Sequence, residues 1–384
     1  MDERPFGSDP AVSPTARVVQ DRRFGSGWIS GTISAALGLL SFGAVLCLRF
    51  PQYLTTPHLR DVLPMGLIRG LIHVCLVSAF VLGIISLVLR PSKKLGSIGV
   101  GFSLLGAVLG GSEVAVEEAV TRSSYLGLDW FLLDLFMLAT LFVPMERLFA
   151  RRPQQIFREG WKTDLAHFLV SHILVQVMML FTLTPAAILF KFMIDTPVQR
   201  AISAQPGWLQ FLEILLVADF AGYWIHRMFH KVGFLWQFHA IHHSSQSMDW
   251  LASSRLHLVD IVVTRMLAFL PLYALGFSHA PVYAYLVFVS FHAVFIHANV
   301  RFDFGRLTSM IGTPRFHHWH HSTQKKALDK NFAIHLPWID RLFGTQYLPE
   351  GEWPEEYGIP GDPVPDRYGE QFVYPFLPEY RLKK

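Results

Sequence analysis

Two apolar runs near the start of this chain, Trp28–Leu48 and Gly66–Leu89, are each long enough to cross the hydrocarbon core of a bilayer. Such a run has one stable backbone conformation. Lipid offers no partner to N–H and C=O groups, and a helix satisfies all of them internally. Further apolar runs follow at Ile98–Gly110, Trp130–Val143, Leu165–Phe192, Leu209–Ile225, Ile261–Phe277 and Val282–Ile296. The Ile98–Gly110 run is short and rich in glycine, and Thr184-Pro185 is a candidate break in the long fifth one. The last two are joined by Ser278-His279-Ala280-Pro281, which suits a helical hairpin. Only 16% of residues are charged and the mean hydropathy is +0.34. The expected fold class is all-α, a polytopic integral membrane helical bundle.

Charge placement orients it. Arg17, Arg22 and Arg23 precede the first run, Arg90, Lys93 and Lys94 follow the second, and Arg147, Arg151, Arg152, Arg158 and Lys162 follow the fourth. The positive-inside rule puts all three clusters in the cytoplasm. This requires Ile98–Gly110 to cross and Trp130–Val143 to return; Leu165–Phe192 then goes out and Leu209–Ile225 comes back, which brings the histidines that follow to the same side. The membrane is then a bacterial inner membrane or the endoplasmic reticulum. Arg22-Arg23 ahead of an apolar run has the form of a twin-arginine signal. The long run without a small-x-small cleavage site favours a retained anchor. A net charge of +4 is too small to argue for nucleic acid, and none is expected as a partner. Cys47 and Cys75 lie inside apolar runs and read as packing residues.

Four segments are expected. Residues 1–27 form a disordered polar tail, and 28–128 a transmembrane region of unassigned role. Residues 129–346 form the catalytic domain, and 347–384 a cytoplasmic extension.

Most of the 18 histidines fall between residues 226 and 321, in three blocks. These are His226-x3-His230, His239-x2-His242-His243 and His317-x2-His320-His321. A helix sets positions i, i+3 and i+4 on one face, so each block aims two or three imidazoles at one point. Neutral imidazole binds metals without adding charge, and nitrogen-only sites suit iron, zinc, copper or nickel. Eight imidazoles exceed the octahedral limit of one ion, so the blocks read as a di-metal cap facing the cytoplasm. His297, just after the hairpin, is a ninth candidate ligand. His257 reads either as a ligand or as a partner of Asp260. His292, inside an apolar run, reads either as a ligand or as a hydrogen-bond donor to a neighbouring helix. His318 falls off the shared face and is expected not to ligate. His167 and His172 are expected in structural or substrate-facing roles. Asp219 and Asp260 are candidate partners for the outer nitrogens of ligating imidazoles, with Asp249 and Asp340 weaker ones.

At these residues the chain resembles the fatty acid hydroxylase/sterol desaturase superfamily, over roughly Val143–Gln346. The ordered string begins with Asp219-x3-Tyr223-Trp224-x-His226-Arg227-x2-His230 and Leu235-Trp236-x2-His239-x2-His242-His243-Ser244. It continues through Arg255-x-His257-x2-Asp260, His297-x-Asn299 and Thr313-Pro314-x2-His317-x2-His320-His321. It ends with Asn331-Phe332 and Trp338-x-Asp340-Arg341-x-Phe343-Gly344-Thr345. The resemblance implies a non-haem di-iron centre of two iron ions, with O2 as co-substrate, that hydroxylates or desaturates a lipid C–H bond. It implies that the eight block histidines and His297 are iron ligands. It also implies an external electron donor, a cytochrome b5 or a ferredoxin/reductase pair. Leu258 stands where many sterol-type members have proline, a departure from the sterol pattern. The competing class is a histidine-rich membrane protein that binds or transports metal. Such a protein would place its histidines along several spans rather than at their ends.

Overall fold

The computed structural model describes residues 25–56, 64–116, 125–192, 195–302, 304–361 and 363–377. Most of the tail expected at 1–27 lies outside them. The described residues form helices and no strands, with two isolated β-bridges. Among the described residues, seven segments are long and apolar enough to cross a membrane: Trp28–Arg49, Met65–Leu89, Lys94–Glu113, Leu128–Leu148, Gly207–Lys231, Leu258–Leu275 and His279–His297. The chain divides into two compact units, Met1–Leu133 and Asp134–Lys384.

The first unit is built on α1 (Trp28–Arg49), α2 (Met65–Leu89) and α3 (Lys94–Val108). Small residues let these helices approach closely, as is usual where lipid removes the hydrophobic drive for association. A methyl group on Gly99 would stand 1.8 Å from Ser34 Oγ, and one on Gly38 would stand 2.8 Å from the Gly99 carbonyl. The glycine-rich stretch is thus a packing surface, and its helix runs on past Gly110 as a crossing candidate.

The second unit holds the end of α4 (Leu128–Leu148), then α5 (Trp161–Ile173) and α6 (Val175–Leu189). It continues with α7 (Gly207–Lys231), α8 (Gly233–His243), α9 (Leu258–Leu275) and α10 (His279–His297). Leu165–Phe192 is therefore two helices, not one. The break falls at Leu174, while Pro185 stays inside α6. The direction of travel survives this change. At one end of the unit, Arg151 N–H donates to Asn299 O at 3.2 Å and Arg301 N–H to Phe149 O at 2.8 Å. These bonds join the ends of α4 and α10. At the other end, Gln199 donates to Ala274 O at 3.1 Å, and Ser278 N–H donates to Gln210 Oε1 at 2.9 Å. These join the start of α7 to the end of α9 and the start of α10. The chain between Arg152 and Gly207 passes from the first end to the second, so α5 and α6 jointly make one traverse. The ends of α7 and α10 then return to the same side, where the histidines gather.

Candidate metal centre

The histidine-bearing elements are α7, α8, the end of α10 and a short helix α11 (Pro314–His320). Thr313 caps α11 through Phe316 N–H, and proline fills its first position. Each histidine block lies on one of these helices or at its end, and the blocks merge into two adjoining groups. His226, His230, His239, His243 and His320 form one; His242, His297, His317 and His321 form the other. Within each group one nitrogen per ring lies within 4.8 Å of all the others. His226 is half-buried and the other eight are buried. The groups touch where His243 stacks on His321, with ring centroids 4.4 Å apart.

The outer nitrogens determine what the inner ones are. In the five-histidine group, His226 Nδ1 faces Phe332 O at 2.7 Å and His320 Nδ1 faces Lys330 O at 2.7 Å. His239 Nδ1 faces the Asp260 carboxylate at 2.7 Å, and His230 Nδ1 faces Asp329 at 3.2 Å. A carbonyl or carboxylate oxygen only accepts, so each Nδ1 carries the proton and each neutral ring turns an Nε2 lone pair inward. In the four-histidine group, His297 Nδ1 donates to Ala293 O at 2.6 Å and His242 Nδ1 to Arg255 O at 3.2 Å. Burial pushes His242, His243, His317, His320 and His321 well below the usual imidazole range, and neighbouring imidazoles lower them further. Neutral imidazoles with inward lone pairs are the form that binds a cation. Buried Nε2 atoms on His243 and His320 have no hydrogen-bond partner in the protein, and His317 and His321 turn Nε2 toward the ring nitrogens of their own group. Such orphans are costly in a folded interior and are satisfied by a metal. The donor set fits metal ions.

Residues 329–332 serve three of the five rings in the first group through Asp329, Lys330 O and Phe332 O. Asp329 and Asn331 adopt left-handed backbone, φ 57° and 59°, a conformation that Asp and Asn enter more readily than other side chains. This turn aims both carbonyls at the rings. Asn331 secures it by donating to Phe316 O at 2.9 Å and Tyr347 O at 2.7 Å. Sequence reasoning missed Asp329. Its only signal was a turn-forming Asp-Lys-Asn segment eight residues after the third block.

Other expectations resolve differently. His257 belongs to neither group and does not bond Asp260. Its Nδ1 accepts Val259 N–H at 3.1 Å and caps α9, and its Nε2 donates to Phe372 O at 3.0 Å. His292 also lies outside both groups. It donates to Gly312 O at 2.9 Å and meets His335 Nδ1 at 3.0 Å, so it bonds to neighbouring segments. His318 faces Tyr357 Oη and His297 O, away from the groups. Asp260 partners His239 as anticipated, whereas Asp219 touches no ligand candidate. Asp219 accepts the backbone N–H groups of Ile334, His335 and Leu336 at 2.9, 3.0 and 2.7 Å. A carboxylate in a span is tolerable with three such donors, and these bonds hold the segment that follows residues 329–332. Asp340 does similar work for Phe332 and Ala333.

A buried ion quartet supports the second group. Arg158 bridges Asp164 at 2.6 Å and Asp249 at 2.7 Å, and Arg255 pairs with Asp164. Arg255 is the residue whose carbonyl orients His242. The described part of the C-terminal segment packs onto the site. Gly358 N–H donates to His321 O at 3.3 Å, Trp319 Nε1 to Glu352 O at 3.2 Å, and His167 bonds Gln371 at 2.8 Å.

Fold and site define a polytopic helical membrane protein carrying two adjoining histidine groups able to hold metal. A fatty acid hydroxylase profile matches residues 211–345, the stretch that holds all three blocks. An ornithine lipid hydroxylase of Rhizobium tropici is 31% identical over 61% of this chain and 70% of its own length. Human alkylglycerol monooxygenase is 37% identical over 34% of this chain and 29% of its own. The Arabidopsis thaliana methylsterol monooxygenase 1-3 is 28% identical over 35% and 46%. No solved structure matches. The chain belongs to the fatty acid hydroxylase/sterol desaturase superfamily. It is by that membership an oxidoreductase acting on lipids.

Proposed function

We propose that this chain is a membrane-bound non-haem di-iron oxygenase that hydroxylates a C–H bond of a polar membrane lipid. The carrying observation is the pair of adjoining histidine groups, in which Nδ1 acceptors turn Nε2 lone pairs inward on four rings of the first group and two of the second. His226, His230, His239, His243 and His320 would hold one ion, and His242, His297, His317 and His321 the other. Five- and four-nitrogen sets without thiolate are unlike closed structural zinc sites and suit iron with a position left open. When bound, iron supplies the activation of O2 needed to attack an unactivated carbon.

The chain's own residues do the rest. Phe332 O, Lys330 O, Asp260 and Asp329 fix ring tautomer and direction. Burial of the rings keeps water from the reacting carbon. Hydroxylation is favoured over desaturation because the relatives compared above are named hydroxylases and monooxygenases. The Rhizobium tropici relative is named an ornithine lipid hydroxylase, which supports a polar lipid substrate.

Reducing equivalents would come from outside, from a cytochrome b5 or a ferredoxin and its reductase. Two cysteines are too few for a four-thiolate iron–sulfur cluster. The histidine end would face the cytoplasm. It carries Arg147, Arg151, Arg152, Arg158 and Lys162, whereas residues 190–206 at the opposite end contribute Lys191 and Arg200.

The test is elemental analysis of gently purified protein beside a His239→Ala/His320→Ala variant, followed by lipidomics of cells with and without the chain. About two iron ions per chain, depleted in the variant, with a lipid gaining one oxygen atom, is the expected result. Folded, freshly prepared protein without metal would overturn the reading.

A further inference from the structure

The segment after residue 363 carries a short helix α12, Tyr368–Val373, and a turn through Phe376. Arg367 and Glu370 are exposed at the start of α12. Beyond them Phe372 is exposed to 42%, Val373 to 44% and Phe376 to 56%. Val232 (44%) and Phe234 (64%) are exposed where α7 gives way to α8. Phe234 packs on Phe238 at 5.3 Å between centroids, and Phe238 packs on Phe376 at 5.5 Å.

The placement of these exposed residues follows from their contacts. Phe234 lies three residues beyond Lys231, where the spanning helix α7 ends. Phe372 stacks on His257 at 5.4 Å and accepts its Nε2–H through the backbone, and His257 is the cap of the spanning helix α9. The aromatic face therefore stands at the level where two spans leave the hydrocarbon core. Aromatic side chains concentrate at that level, with the ring in the acyl boundary and the backbone near the headgroups.

We propose that Val232, Phe234, Phe372, Val373 and Phe376 form a membrane-interface contact that seats the C-terminal segment on an anionic bilayer. Exposed aromatic clusters of this kind in a protein–water surface would be an association hazard. The sequence after Leu377, Pro-Glu-Tyr-Arg381-Leu-Lys383-Lys384, carries three cations against one acid. That charge favours anionic headgroups over a protein partner of unspecified kind. The contact lies outside residues 211–345 and is independent of which metal the histidines hold. Its structural consequence is local: the same segment bonds His257 and His167, so a bilayer-seated segment closes over the start of α9 and of α5.

The experiment is spin-label depth measurement on the full chain in bilayers of mixed zwitterionic and anionic phospholipid. Labels are placed singly at Phe376→Cys, Val373→Cys and Glu370→Cys in a Cys47→Ala/Cys75→Ala background. Collision with O2 is compared with collision with a water-soluble nickel chelate. Labels at 376 and 373 are expected to favour O2, and the label at 370 nickel. Nickel preference at all three positions would overturn the proposal. So would labels at 376 and 373 that are shielded from both agents and broadened by spin–spin coupling, because a second copy would then cover the face. The two apolar positions test the same contact, so a structural failure of one variant leaves the other to decide.

Discussion

His226 Nε2 and His239 Nε2 stand 3.0 Å apart, although the Nδ1 of each ring already donates its proton, to Phe332 O and to Asp260. Two neutral imidazoles so arranged point lone pairs at one another. His297 and His242 repeat the relationship at 3.2 Å, with Ala293 O and Arg255 O as acceptors. Without a cation these contacts are repulsive, and with one they become ligand contacts. Chelator-stripped protein should therefore unfold at a distinctly lower temperature than metal-loaded protein, and added Fe(II) should restore it, because binding to the folded state alone stabilises it. Apparent thermal midpoints across a chelator titration provide the check. An unchanged midpoint in protein proved metal-free would contradict the tautomer argument.

The carboxylates divide unequally between the groups. Asp260 and Asp329 both serve the five-histidine group, whereas the four-histidine group has carbonyl acceptors. Asp260→Asn keeps an oxygen for His239 Nδ1–H but removes the charge. Loss of such outer partners typically weakens metal affinity about 10–100-fold. The expected result is selective weakening of one of two metal positions, read by competition with a chromogenic chelator. Asp329→Ala should act on the same position, and uniform weakening of both positions would refute this assignment.

How much of this was legible beforehand depended on whether a residue's role was local or distant. The spans were readable because apolar length is a local property, and so were the blocks, because spacing on a helix dictates a shared face. The break at Leu174 was not, since proline was the visible breaker and Pro185 remains helical. Asp219 was singled out as a partner for a ligating imidazole, but its partners are backbone N–H groups more than a hundred positions away at 334–336. The roles of His257 and Asp329 likewise came from chain folding back: onto Phe372 in one case and onto His230 in the other. Periodicity carries no information about such closures.

His335 offers a pH test away from the candidate ligands. It is buried against His292, with the Asp219 carboxylate on its own backbone N–H, and burial pushes its pKa down to about 3. An unfolded histidine titrates near 6.5. Below about that pH the unfolded chain takes up a proton that the folded chain refuses, so stability falls progressively as pH drops from about 6.5 toward about 3. His335→Asn should be less stable than the parent at neutral pH through lost packing. Its stability should nevertheless decline less steeply on acidification, by up to about one proton's worth of slope. Parallel pH–melting curves in detergent would show the two converging. Parallel curves with a constant gap would mean that His335 does not titrate with unfolding.

The ion quartet yields the sharpest stability contrast. Asp164 is wholly buried and accepts from Arg158 and from Arg255. Removing one member of such a set strands a buried charge, at a cost of about 3–5 kcal/mol. Arg255→Gln should accordingly destabilise the second unit strongly. Arg255→Gln with Asp164→Asn should recover part of the loss, since the charge that needed Arg255 is gone. The same pair separates structure from positioning. Arg255 O still accepts from His242 in both variants if the backbone holds, so the rescued double variant should regain metal binding along with its melting temperature. Recovery of the melting temperature without recovery of metal would show that the guanidinium itself, through its bond to Ser244 Oγ at 3.3 Å, sets the placement of the second histidine block.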